Sequence, residues 1–225
     1  MADNKVIRFY AVDSYPWGYR ADGEDKGIIV DWGKAIMSYA ELPIEITLAP
    51  LSRILADMST GRADATIHFA DDRFMKVSVL AGSTPAQRSG FITLRGNPIG
   101  SMEDLYGKVV CQNLGSIYGE AYDSEKRISR LYIGSYTQII KLVYRKRCDA
   151  GVGLIRGLFT KIQALNLPKD TFDNPLYIDQ ELSGGLLLSK STIDQKTAGH
   201  LKRVMRSLHA RNEFERIQER YFTSD

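Results

Sequence analysis

The sequence predicts an α/β protein of two similar lobes, each a mainly parallel sheet flanked by helices. Three observations carry that expectation. Apolar runs of strand length alternate with segments of helical periodicity, one helix-strand segment recurs without a gap, and two extended apolar runs fall where the chain would cross between the copies. With 225 residues, 44% hydrophobic and 25% charged, the composition is that of an ordinary folded protein of one large or two small domains, which excludes disordered and fibrous classes. A net charge of +3, from 30 basic and 27 acidic residues, is too balanced to imply nucleic acid or an anionic membrane surface as partner. No stretch approaches the roughly 18 consecutive apolar residues of a membrane helix, and Arg8 and Asp13 fall where a signal peptide would be apolar.

Taken in order, Val6 to Val12 reads as a strand and ends in an aromatic loop, Ser14-Tyr15-Pro16-Trp17-Gly18-Tyr19. Tyr15 and Trp17 there read either as a plug over the sheet edge or as the wall of a pocket. Asp22 to Gly27 is a turn by composition, and Trp32, Ala35, Ile36 and Tyr39 keep helical spacing. A strand at Ile44 to Leu48 and a helix from Ser52 to Thr60, stopped by Gly61, lead into a buried strand at Ala65 to Phe69. The strand gives way to Asp71, Asp72 and Arg73. In α/β proteins ligands are held just past the carboxyl ends of strands, so Asp64 to Lys76 is expected to form the floor of any site. Asp71 and Asp72 read equally as caps of the next helix, with Arg73 paired to one of them, and His68 reads as either a hydrogen-bonded structural residue or a ligand contact.

Ile54, Leu55, Met58, Arg62, Asp64 and Ala65 are echoed in register by Ile139, Ile140, Val143, Arg147, Asp149 and Ala150. The second copy has its own preceding strand, Lys108 to Gln112, so two α/β units are expected, one over 1–91 and 187–225 and one over 92–186. Phe91 to Arg95 and Gly184 to Leu188 read as paired crossover strands, a two-strand hinge. Cys111 and Cys148 lie in no Cys-x-x-Cys pair and near no histidine with metal spacing. Both read as small core residues, bridged only if the compartment is oxidising. From Lys196 to Arg220 basic residues alternate with Glu213, Glu215 and Glu219, the pattern of a solvated amphipathic face. Gly115-Ser116-Ile117-Tyr118-Gly119 is not a Gly-x-Ser-x-Gly elbow, there is no phosphate-cradling Gly-x-x-x-x-Gly-Lys, and His200 and His209 do not form a metal pair. No cofactor, metal or catalytic constellation is expected.

Ser101 to Val110, Ser135-Tyr136 with Asp149-Ala150 downstream, and Asn212 to Phe222 together resemble the bacterial extracellular solute-binding proteins of family 3. Gly27 to Ile36 is similar to that family's Gly-Phe-Asp-Val-Asp-Leu-Ala-Lys-Ala-Ile segment, and Thr60 to Asp64 to its Ser-Gly-Lys-Ala-Asp. The resemblance implies the type II periplasmic binding fold, with two lobes closing on a small-molecule ligand like a jaw, and no catalysis. It also implies a monomer, a periplasmic address reached by a signal peptide absent from this chain, and a mature start near Ala2-Asp3. A membrane permease or a sensor would be the partner, since the family feeds polar amino acids to ATP-driven importers and related modules serve as sensor domains.

The departures from the family pattern bear on the ligand. The arginine that forks onto an α-carboxylate twelve residues past the Gly-Lys-Ala-Asp aspartate is Lys76 here, which keeps the charge and loses the two parallel donors. Arg73, one turn earlier, is the alternative. Small hydroxyl and glycine positions become His68, Phe69 and Asp71, the aromatic before the third helix becomes Leu51, and the aspartate that receives the ammonium becomes Leu154. A buried ammonium without that carboxylate is strongly disfavoured. Gly115 and Ser116 are expected to open a helix whose amides hold an anion, with Ile117 and Tyr118 in place of the usual hydroxyl. Arg156 reads as a cleft residue or as a solvated helix residue. The expected ligand is a small polar or anionic metabolite, not a zwitterionic amino acid. A dehydratase using Asp71 as a carboxylic acid of raised pKa is the enzymatic alternative.

Overall fold

The structure, a computed structural model, describes residues 5–168 and 170–222, so the expectation attached to Ala2 and Asp3 lies outside the described residues. The chain forms two compact units, Met1–Ala86 with Ser183–Asp225, and Gln87–Leu182. Both passages between units fall a few residues earlier than the sequence suggested, because the strand expected at Phe91 to Arg95 already begins at Gln87.

In the first unit β1 (Ile7–Val12) alternates strictly, burying Ile7, Phe9 and Ala11. A hairpin of β2 (Tyr19–Ala21) and β3 (Glu24–Lys26) leads to α1 (Ile28–Tyr39). Gly33 on α1 is required by packing, since a Cβ there would lie 2.7 Å from the Phe9 ring. Next come β4 (Ile44–Ala49), α2 (Leu51–Ser59), β5 (Ala65–Phe69), α3 (Asp72–Val77) and β6 (Ser78–Ser83). The second unit holds β7 (Gln87–Ile92), a 3-10 turn at Met102–Leu105, β8 (Val109–Asn113), α4 (Glu120–Asp123), β9 (Ser129–Ile133), α5 (Tyr136–Tyr144), β10 (Ala150–Leu154), α6 (Ile155–Ala164) and β11 (Leu176–Leu182). The chain then completes the first unit with β12 (Gly184–Ser189), α7 (Gln195–Ala210) and α8 (Glu213–Phe222). The terminal helix is tied to α1 by the Trp32 indole, which donates to the Phe214 carbonyl at 2.9 Å.

The sheet orders, β4-β1-β5-β12-β6 and β9-β8-β10-β7-β11, match strand for strand. The internal echo has a structural counterpart. Asp64 exchanges bonds with Arg8, its amide donating to the Arg8 carbonyl at 2.9 Å and its carboxylate accepting the Arg8 amide at 3.0 Å. Asp149 does the same with Val109, at 2.9 and 2.8 Å. Each aspartate stitches the start of one parallel strand to the start of its neighbour.

One expectation is corrected. The two crossover runs do not pair with each other: β7 lies between β10 and β11, and β12 between β5 and β6, all antiparallel. Each sheet keeps the expected mainly parallel direction, four strands running one way, with the strand that follows a crossing, β12 or β7, reversed between two of them. Cys111 and Cys148, buried as expected, take the bridge that the sequence left open, with Cα atoms 5.9 Å apart, since β8 and β10 are parallel neighbours and bring the residue on one beside the approach to the other.

Candidate functional site

In the first unit β4, β1 and β5 run parallel, so their carboxyl ends and the loops that follow share one edge. Asp71 caps α3 there, accepting the amides of Arg73 at 2.8 Å and Phe74 at 3.1 Å. Its second oxygen takes Arg73 Nη2 at 2.7 Å. Burial pushes the Asp71 carboxyl up, and the Arg73 guanidinium with the capping amides outweighs it, leaving the pKa below the usual value. The raised pKa that a catalytic acid at Asp71 requires is thus reversed in sign. His68, half-buried on β5, stacks on Phe74 at 4.9 Å and meets Phe69 edge-on at 5.3 Å, with Nδ1 3.3 Å from the Phe69 carbonyl. Burial pushes the imidazole down to about 4, against the Phe69 carbonyl and Asp71, so it is neutral near pH 7. Lys76 is exposed in the last turn of α3, and its backbone carbonyl, with that of Met75, accepts the Lys190 ammonium at 3.2 and 2.7 Å.

The aromatic loop divides. Trp17 is 6% exposed and packs edge-on against Phe222 at 6.1 Å, which is the plug reading. Its indole N–H is buried with no hydrogen-bond partner among the described residues. Tyr15 is half-buried against Tyr19 at 4.8 Å, and burial raises the pKa of its hydroxyl.

In the second unit β9, β8 and β10 present the equivalent edge. The helix expected to open at Gly115-Ser116 does not. Gly115 turns the chain with φ +78°, residues 116–119 are irregular, and α4 is only four residues long. The amides of Tyr118 and Gly119 donate to Asp123 Oδ2 at 2.9 and 3.0 Å, and that of Ser116 to the Asn113 carbonyl at 3.3 Å. A carboxylate of the chain itself thus takes the amides just past the expected position, those of Tyr118 and Gly119. Tyr118 is the cause: 2% exposed, it is drawn into the core beside Tyr122, its carbonyl accepts the Ser89 hydroxyl, and its own hydroxyl accepts the Asn113 amide at 3.1 Å. Burial pushes that phenol up to about 12. Ile117 is half-buried beside it. Leu154 precedes α6 with no side-chain cap, its amide donating to the Tyr136 hydroxyl at 2.9 Å, and Arg156 is exposed on the first turn.

Sequence reasoning missed Asp123, whose signal was an aspartate four residues past Gly119. It also missed Asn113, which ends β8 with its side-chain amide oxygen Oδ1 buried and unpartnered among the described residues. No group of three or more histidine, cysteine or acidic side chains suited to a metal occurs among the described residues, and no helix there is long and apolar enough to cross a membrane.

The family model of the bacterial extracellular solute-binding proteins, family 3, matches residues 7–224. The probable amino-acid-binding protein YxeM of Bacillus subtilis (strain 168) is 24% identical over 235 residues, covering 99% of this chain and 86% of that protein. Among solved structures, an ancestral arginine-binding protein bound to arginine is 17% identical with a TM-score of 0.82, over 96% of this chain and 98% of that one. A histidine kinase sensor domain with similarity to periplasmic binding proteins is 15% identical with a TM-score of 0.83, over 97% and 96%. At these identities the structural likenesses establish the fold, which is the type II periplasmic binding fold.

Proposed function

The chain belongs to the bacterial extracellular solute-binding proteins, family 3, and from that premise we propose that it captures a small polar or anionic metabolite for an ATP-driven importer in an extracytoplasmic compartment. Members of the family are binding proteins of the amino-acid transporter type, and binding rather than turnover is the reading adopted. The observation that carries the ligand class is Leu154, an alkyl group where amino-acid binders of the family place the carboxylate that meets an ammonium. Arg73 already spends its fork on Asp71, so we assign the anionic end of the ligand to Lys76, whose ammonium makes no ion pair among the described residues. Tyr15 and Phe69, both half-buried, supply apolar wall.

Calorimetry against glutamine, arginine and histidine, beside a thermal-shift screen of small carboxylates, tests this. Binding of the three amino acids weaker than about millimolar is expected, and micromolar affinity for any of them overturns the reading. A true ligand at a hundred times its dissociation constant adds about 2.7 kcal/mol of stability, which the screen detects. A second reading, a sensor module signalling to a membrane partner, is favoured by the likeness to a histidine kinase sensor domain. Stimulation of an importer's ATPase by the loaded protein distinguishes transport from sensing.

A further inference from the structure

We propose that the second unit carries a separate seat for a small tetrahedral oxyanion of the hydrogen-phosphate class, at the amino-terminal edge of β8 and β10. A cavity of about 170 Å³ opens there, with Thr93, Asn97, Lys108, Lys146, Cys148 and Asp149 among its lining. One water needs roughly 10–15 Å³ on such a measure, so there is room for a phosphate with its waters or for a small phosphomonoester. The ligand edge considered above lies at the opposite end of β8, beyond Asn113, so the two sites are separated by the length of the strand.

Three groups give the cavity its chemistry. Lys108 sits immediately before β8, and Lys146 in the turn after α5, where φ is 54°. Both are exposed, and neither ammonium makes an ion pair among the described residues. The carboxylate that feels Lys108, Asp104, is engaged by the amides of Gly100 and Ser101 at 2.8 and 3.1 Å. Two ammonium groups beside one cavity are a seat for a doubly charged oxyanion, each offering three donors without fixed direction. Asp149 is the third group. One of its oxygens holds the Val109 amide at 2.8 Å and the other keeps its acceptor capacity. A carboxylate in an anion site selects an anion that still bears a proton: hydrogen phosphate or a singly protonated phosphomonoester can donate to it, whereas sulfate near neutral pH can only accept and is repelled.

Calorimetry on the full chain with sodium phosphate, and with sodium sulfate at matched ionic strength, tests the assignment. Saturable phosphate binding is expected, with sulfate weaker by about tenfold. The double variant Lys108→Met/Lys146→Met should lose about tenfold or more of phosphate affinity while melting with the parent, because both side chains are exposed. Amide resonances of Val109 and Asp149 should shift with phosphate, while those of Gly115 and Ser116 stay fixed. Glycerol phosphate binding more tightly than inorganic phosphate assigns the seat to a phosphomonoester, and weaker binding assigns it to the free ion. Absence of saturable phosphate binding, or unchanged affinity in the double variant, overturns the proposal. Neither outcome touches the ligand edge, whose own test uses amino acids and carboxylates.

Discussion

His68 concentrates the pH behaviour of the candidate site in one ring. Its pKa is lowered to about 4 from 6.5, so the unfolded chain takes the proton first as the pH falls. Between about pH 6.5 and 4 its contribution to stability therefore declines with falling pH, by up to about 1.4 kcal/mol per unit, and is whole above that window. An imidazole titration followed by NMR should give a midpoint near 4, and His68→Phe should remove this part of the pH dependence in urea melts. A second prediction concerns Thr93, 3% exposed with a hydroxyl that has no partner among the described residues. Thr93→Val should be neutral or stabilise by up to about 1 kcal/mol, because it deletes an unsatisfied polar group at constant shape. At this scale the sequence spoke clearly where an interaction is local. Asp71 as a cap and Arg73 as its partner are one of two readings that three adjacent letters allow, and the structure has that cap and that pair. It did not speak for Tyr118, whose burial depends on Ser89 and Tyr122 meeting it through the fold, and the helix expected to open at Gly115-Ser116 begins only at Glu120.

Among elements, the two aspartate stitches make a controlled comparison. Asp64 is fully buried and holds the Lys5 ammonium at 2.7 Å and the Arg8 guanidinium at 2.8 Å, which with the Arg8 amide outweigh burial and keep its pKa well below the usual value. Asp149 is exposed and holds one amide. Asp64→Asn should cost about 3 kcal/mol in urea denaturation and Asp149→Asn about 1 kcal/mol. The Asp64 penalty should shrink as the pH drops below about 4, since a carboxylate of lowered pKa contributes fully above its unfolded value and less as it is protonated. The disulfide closes a separation of 37 residues within the second unit. Loop-closure entropy puts its removal by Cys111→Ala/Cys148→Ala at about 4 kcal/mol, to be read as a lowered melting temperature. Composition could name both cysteines as core but not pair them, because the pairing follows from β8 and β10 being neighbours, a fact of topology.

For the whole molecule, the echo between residues 54–65 and 139–150 was enough to announce two like units, because a helix feeding a strand through a stitched aspartate is written in local spacing. Strand order was not, and the two crossing strands were placed against each other when each belongs inside a different sheet. Those strands have a further consequence. β6 and β12 are antiparallel partners, with Gly185 opposite Ser83 and the Thr84 amide donating to the Gly184 carbonyl at 2.9 Å, so the chain leaves and re-enters the first unit at two points already side by side. Gln87 and Leu182 face each other in the same way on β7 and β11. Topologically, the second unit is an insertion into a β-hairpin, and each half carries adjacent ends. Residues 87–182 should therefore fold as a free-standing fragment retaining the Cys111–Cys148 bridge, and replacing residues 85–183 by a two-residue Asn-Gly turn should seal the first unit. Circular dichroism and cooperative melting of the two pieces would show whether the molecule can be taken apart along that seam.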